Sequence, residues 1–206
     1  MFDVAIVGLG GWARHLVDSV QGKSETIRFV AAATRTPSRS EDFAAGHGMR
    51  LSDDLDDVLA DDAIGGVVVA SPGGVHAEHA LAALNAGKHV LVIKPMALYR
   101  ADAEALSRAA ESRGLVVAMR YDRCFMPAVA ELRRLVKAGD LGRIIHAEGD
   151  FCVDRFRTLK PGTWKADADQ RPPGSLADHT MYTIVELMGP VAELYAQGQR
   201  QVVEVG

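Results

Sequence analysis

Three small residues near the start of the chain have the spacing of a phosphate-binding turn. Gly8, Gly10 and Ala13 follow the apolar run Val4 to Val7 as GxGxxA. In such a turn the first glycine reverses the chain sharply off a strand and the second lets backbone approach a pyrophosphate. The third small residue lets the following helix pack close to the sheet. Gly11 and Trp12 complete the candidate turn. At the end of the next strand, where a dinucleotide-binding unit carries an acid for the adenosine ribose, the chain instead reads Thr34-Arg35-Thr36-Pro37-Ser38-Arg39. An acid would repel a 2′-phosphate, whereas a hydroxyl and guanidinium groups suit one. Thr34, Arg35, Ser38 and Arg39 therefore favour NADP over NAD, against the plainer reading of the two arginines as solvated loop charges.

A second group of reactive side chains stands late in the chain. Asp178, His179 and Tyr182 are spaced so that one helix presents all three toward one side, three and four residues apart. A free tyrosine, with a pKa of about 10, is a poor base at neutral pH. A lysine beside it would favour the phenolate. Lys94 ends an apolar strand, and Pro95 holds it extended, which aims it toward a cleft; the alternative is a surface charge. Asp178 also lies three residues after Ser175, as in a capping box, and His179 can equally be solvated or satisfied in a core. Arg155, Arg157, Trp164 and Lys165 suit a hydroxylated or acidic ligand if they face the cleft, and act as loop anchors if they do not. Arg123, Trp164 and Lys165 are the substrate-side candidates. His76 and His79 sit four apart on a helix, but no further ligands accompany them, so no metal is expected.

The chain of 206 residues is 48% hydrophobic, enough for one full core and part of a second. A net charge of −4 with interspersed acids and bases argues against a nucleic-acid footprint. Cys124 and Cys152 form no zinc or CxxC spacing and are expected as core or cleft thiols. No basic region precedes the first apolar run, which reads against a secretory signal, and no run is long enough to span a bilayer. A cytoplasmic protein without membrane or nucleic-acid partners is the expectation.

Short β-branched runs alternate with amphipathic stretches, the pattern of a parallel sheet with crossover helices. Strands are expected at Val4 to Val7, Arg28 to Thr34, Met49 to Leu51, Gly66 to Ala70, His89 to Ile93 and Leu115 to Met119. A helix is expected over Arg14 to Gly22. Another, over Val75 to Ala86, turns Ala77, Ala80, Leu81 and Leu84 inward and ends at Gly87; a third, over Ala101 to Arg113, ends at Gly114. Residues 1–120 thus read as an α/β, doubly wound Rossmann domain that binds its ligand at the carboxyl ends of the strands. Residues 121–206 read as a short α+β domain for substrate and oligomer contacts. Its expected elements are a helix over Ala128 to Ala138 with Val129, Leu132, Leu135 and Val136 inward, and an alternating strand over Arg143 to Val153. A loop over Thr158 to Pro173, a helix from Ser175 to Met188 and a strand from Val191 complete it. Two strands and two helices are too few for an independent domain, so this part either leans on the first domain and a partner chain or is incomplete. An unpaired edge from Val191 would favour a homo-oligomer.

The block SPGGVHAEHALAALNAGKHVLV at residues 71–92, Lys94-Pro95, Phe125-Met126-Pro127, Gly139-Asp140-Leu141-Gly142 and the late GSLAD join the GxGxxA turn in a pattern that resembles the Gfo/Idh/MocA oxidoreductases. The resemblance implies that Ser71, Pro72, Gly73, His76, Lys94 and Pro95 border the cofactor, and that Lys94 reaches the reacting hydroxyl or carbonyl. It further implies a hydride transfer between NADP and a carbinol or carbonyl of a polyhydroxylated small molecule. Tyr182 falls where many members have a proton-transferring histidine. This is similar to the branch of glucose-fructose oxidoreductase and dimeric dihydrodiol dehydrogenase, which has tyrosine there. Ile93 replaces the family glutamate and Gly73 an asparagine, two departures that leave room for a cofactor-binding regulatory or scaffold protein without turnover.

Overall fold

The computed structural model describes residues 1–152 and 177–197 of the chain. The chain divides into two compact units, Met1–Arg120 and a second that begins at Tyr121.

In the first unit β1 (Phe2–Val7), β2 (Ile27–Ala33), β3 (Arg50–Ser52), β4 (Gly66–Val69), β5 (His89–Ile93) and β6 (Val117–Arg120) form one parallel sheet in the order β3-β2-β1-β4-β5-β6. This is the doubly wound Rossmann order, with its switch point between β1 and β4. The helices are α1 (Gly11–Val20), α2 (Glu41–Gly46), α3 (Leu55–Leu59), α4 (His76–Asn85) and α5 (Arg100–Ser112). Strand alternation splits the core in two. Ala5 and Val7 join Val67, Val69, Val90 and Val92 under α3, α4 and α5, while Val4 and Ile6 join Val68, Ala13 and Val17 under α1. Burial on both faces is why these strands read as unbroken apolar runs.

Helix α4 is rotated from the expected face. Ala80, Ala83 and Leu84 are fully buried while Leu81 is exposed. The two alanines let the helix lie close to the sheet, and the larger Leu81 is turned away. Residues Gly73–Val75 form a separate 3₁₀ turn, so the helix begins at His76. Strand β6 starts later than expected because the Leu115 amide donates to Ala110 O (2.9 Å) and the Val116 amide to His89 Nδ1 (3.0 Å). The glycines that stop helices behave as read: Gly87 and Gly114 adopt φ of 75° and 64°.

The second unit contains α6 (Pro127–Ala138) and α7 (Ala177–Met188). Pro127 fits the first turn of α6, where its missing N–H costs nothing, and Gly139 ends the helix at φ 76°. Arg133 holds α6 to α7 through Glu186 (2.6 Å) and donates to Cys124 O (2.8 Å). Of the residues expected inward on α6, Val129, Leu135 and Val136 are half-buried, whereas Leu132 is exposed. The strand expected over Arg143 to Val153 is absent over residues 143–152, and none begins at Val191 within residues 191–197. The described residues of this unit offer no neighbouring strand, and an alternating segment without a ladder cannot pair its N–H and C=O groups as a sheet does. Cys124 is a buried thiol donating to Tyr121 O (2.8 Å), but Cys152 is exposed, contrary to expectation. Val153, the loop Thr158 to Pro173 and Ser175 lie outside the described residues.

Where β1 ends, Gly8 donates to Ala33 O (2.7 Å) and Ala70 donates to Val7 O (2.8 Å), so three strand ends meet. Gly8 has φ 87°, and a Cβ there would stand 2.8 Å from Ala70 O and 2.9 Å from Ser71 Cα. Backbone on both sides leaves the overlap no rotamer to relieve it. Gly8→Ala is expected to cost at least about 1–3 kcal/mol, the range for a side chain forced into this region of φ/ψ. A urea-unfolding midpoint equal to wild type would contradict this.

Candidate functional site

The turn after Gly8 leaves its backbone donors open. A Cβ placed on Gly10 or Gly11 meets nothing within 4 Å, so the backbone there borders open space. Gly10 caps α1 without a side-chain hydrogen bond, and the first turn carries no acid. Its amide donors and helix dipole therefore remain available to a pyrophosphate, and these residues fit a dinucleotide. Ala13 is buried against the sheet, as the third small residue of the pattern requires, while Trp12 is exposed with the Arg120 guanidinium 5.8 Å from its ring.

Beside this turn, the segment after β2 presents Arg35, Ser38 and Arg39 to solvent; Thr34 is half-buried and its amide donates to Ser52 O (3.0 Å). Residues 34–40 hold no carboxylate, and the next acids are Glu41 and Asp42 at the start of α2. A phosphorylated ribose would meet cations and hydroxyls there.

The ends of β4 and β5 are joined by one buried ring. His76 Nδ1 lies 2.7 Å from Pro95 O and Nε2 lies 2.6 Å from Ser71 O. His79 Nδ1 is 3.0 Å from Ser71 Oγ, so the histidine pair grips Ser71 by its carbonyl and its hydroxyl. These rings serve the two strand ends. Lys94 follows β5 directly, half-buried, and the Lys94–Pro95 bond is cis. Gly73 is buried in its 3₁₀ turn and Ile93 closes β5.

The second unit gathers the late constellation around a residue that spacing did not single out. Tyr121 is 4% exposed; its ring stacks on Tyr182 at 4.0 Å and lies 5.4 Å from His179. Burial pushes the Tyr121 phenol above its usual pKa and the Asp178 carboxylate pushes it further, with Arg123 opposing. Tyr121 is thereby kept a neutral phenol, and Tyr182, 38% exposed, is the accessible member of the stack. Phe151 stacks on His179 at 5.1 Å, and the Arg123 guanidinium lies 4.6 Å from the Phe151 ring centroid. Arg123, Asp150, Phe151, His179, Thr180 and Thr183 line a cavity of about 200 Å³. Asp178, His179 and Tyr182 thus share one helix, and His179 and Tyr182 share one aromatic neighbour. Trp164 and Lys165 lie outside the described residues. The signal that could have found Tyr121 is its place just after β6, at the carboxyl end of a strand.

With this geometry established, two family descriptions match the chain. "Oxidoreductase family, NAD-binding Rossmann fold" covers residues 2–121 and "GFO/IDH/MocA C-terminal domain" covers residues 129–206. The chain belongs to the Gfo/Idh/MocA oxidoreductase family. Its first unit is an NAD(P)-binding Rossmann domain. Glucose-6-phosphate 3-dehydrogenase of Bacillus subtilis is 30% identical over 185 residues, 89% of this chain and 52% of the relative. The NADP(+)-dependent scyllo-inositol 2-dehydrogenase of the same organism is 29% identical over 204 residues, 96% of this chain and 62% of the relative. The crystal structure of scyllo-inositol dehydrogenase from Lactobacillus casei with bound NAD(H) and scyllo-inositol superimposes with a TM-score of 0.66 at 27% identity, covering 70% of this chain and 43% of that one. The chain therefore spans roughly half the length of these relatives. Among the described residues no helix is long and apolar enough to cross a membrane.

Burial lowers the pKa of His79; nearby Glu78 opposes this, while His76 and Arg35 add to it. The folded state thus favours the neutral ring, and the unfolded chain, titrating near the ordinary value of about 6.5, binds protons first as pH falls. The stability associated with His79 is present above that value and is lost as pH drops through the lower folded pKa. His79→Gln keeps a polar partner for Ser71 but cannot titrate, so its urea midpoint should change less than wild type between pH 7 and 5. Parallel profiles would refute this role.

Proposed function

We propose that this chain carries the cofactor-binding part of an NADP-dependent oxidoreductase that exchanges a hydride with a carbinol or carbonyl carbon of a sugar, polyol or related cyclic compound. The observation that carries the reading is the open Gly8–Gly11 turn beside a carboxylate-free, arginine-bearing segment at residues 34–40. The inositol and hexose-phosphate dehydrogenases among the relatives support the substrate class; one is NADP(+)-dependent and another was crystallised with NAD(H).

Hydride exchange is the chemistry a bound nicotinamide supplies. The chain's own residues would supply the rest. The first turn of α1 binds the pyrophosphate, and Thr34, Arg35, Ser38 and Arg39 bind the 2′-phosphate. Ser71, Pro72, Gly73 and Pro95 shape the far end of the cofactor site, with His76 holding Ser71 and Pro95 in place. Lys94 polarises the substrate oxygen and stabilises negative charge on it. Tyr182 moves the hydroxyl proton, in keeping with the tyrosine-bearing branch of the family. The neutral Tyr121 ring backs Tyr182, and Asp178 and His179 adjust the charge around it. Arg123 provides a cationic contact for substrate oxygens.

A titration of the chain with NADPH and NADH, followed by a turnover screen over sugars, polyols and dihydrodiols, tests the reading. NADPH should bind the more tightly, and Tyr182→Phe should slow turnover by about 10²- to 10⁴-fold with NADPH affinity largely intact. Unchanged turnover in that variant would remove Tyr182 from the chemistry. Ile93 and Gly73, where the family has glutamate and asparagine, support a second reading as an NADP-binding regulator. NADPH binding with no hydride transfer across the whole screen would favour it.

A further inference from the structure

Arg14 lies outside the GxGxxA pattern, yet its side chain links the two halves of the adenosine end of the site. It leaves the first turn of α1 and runs across to the segment after β2. Nε donates to Leu9 O (3.2 Å), inside the glycine turn. Nη2 donates to Arg39 O (2.7 Å) and to Ser40 Oγ (3.1 Å), at the far end of the arginine-bearing segment. The guanidinium also lies 4.9 Å from the ring centroid of Phe43 on α2. Ser40 is 4% exposed, so this anchor is interior, whereas Arg35, Ser38 and Arg39 face solvent.

Two features separate Arg14 from a simple brace. All three of its acceptors are neutral, two carbonyls and a hydroxyl, so none of these bonds neutralises its charge. None of them uses Nη1 either, which leaves part of the planar fork for another acceptor. The backbone bonds within residues 36–40 are local, with the Arg39 amide donating to Thr36 O (3.2 Å) and the Ser40 amide to Pro37 O (2.7 Å). They shape the turn without fixing its distance from the glycines. The ladder sets where the segment leaves β2, and Arg14 ties its far end, at Arg39 and Ser40, to the glycine turn while bringing a further guanidinium to it.

We infer that Arg14 is the positioning residue that sets selectivity for an adenosine 2′-phosphate, by tying the cationic segment after β2 to the pyrophosphate turn and holding its own positive charge between them. The inference rests on the NADP reading proposed above. It predicts that binding energy specific to the 2′-phosphate depends on a residue of α1 as well as on the loop.

The test uses the whole chain and two small probes, adenosine 2′,5′-bisphosphate and 5′-AMP, with dissociation constants from calorimetry at fixed ionic strength; neither probe needs turnover. Arg14→Met keeps an apolar stem against Phe43 while removing charge and donors. It should lose about tenfold or more of the preference for the bisphosphate, the scale of a lost charge-assisted contact, with 5′-AMP affinity changed by less than about threefold. Arg14→Lys keeps the charge but not the fork and should fall between the two. A purely structural role would weaken both probes together and leave their ratio unchanged, which would overturn the inference. If Arg14→Met does not fold, the lysine variant decides: a wild-type ratio overturns the positioning role, and a reduced ratio supports it. If the wild-type chain shows no preference for the bisphosphate, the NADP reading and this inference fall together. A wild-type preference that survives in both variants overturns this inference alone.

Discussion

The backbone of Ala70 and Ser71 lies against the α-carbon of Gly8, and this close approach determines where the other parts of the cofactor end can be. A Cβ would stand 2.8 Å from Ala70 O, and nothing movable intervenes. With that contact made, β1 and β4 end together at the switch point of the sheet, and the amides of α1 open beside them. Ser71 is gripped in turn by His76 and His79, and His76 reaches on to Pro95, the residue after Lys94. A chain of short contacts therefore runs from the phosphate turn to the segment that carries the lysine. It consists of backbone and two imidazole rings, and none of it depends on a surface ion pair.

Charge is arranged differently beside the glycine turn and around Tyr121. Around α1 and the segment after β2, guanidinium groups bond to neutral acceptors or face solvent, so no carboxylate neutralises them there. Arg133 is matched by Glu186, and Asp178 and Arg123 act with opposite sign on Tyr121. One arrangement leaves guanidinium groups unneutralised, and the other keeps Tyr121 a neutral phenol.

What the sequence made legible follows from the range of each interaction. Gly8, Gly87 and Gly114 were readable because a positive φ is a local demand that glycine meets most easily. Strands β1, β2, β4 and β5 were readable because burial on both faces leaves unbroken apolar runs. The inward face of α4 was misjudged at Leu81, since which flank of a helix meets the sheet depends on side-chain size across the interface. Residues 143–152 alternate like a strand, but alternation supplies no partner, and strand formation is a property of the ladder. Tyr121 escaped notice because ring stacking and burial arise only in the assembled unit. The candidate site was legible where it rests on a turn, at Gly8 to Ala13, and poorly legible where it rests on packing, around Tyr121, Phe151 and His179.

The pairing of β1 with β2 contains one irregularity. Val4 faces Phe29 and Ala5 faces Ala31, so Val30 is an extra residue on β2, while the pairing of β1 with β4 runs from Val4 to Val7 without a break. Beyond the bulge, Ala31 to Ala33 are again in step with Ala5 to Val7. The slack in this sheet thus sits upstream of the strand ends, and only on one side of β1. The extra residue bends and twists β2 at Val30, ahead of the three pairs that carry both strands to their ends. The glycine turn and the arginine-bearing segment therefore leave the sheet side by side, from the paired residues Val7 and Ala33.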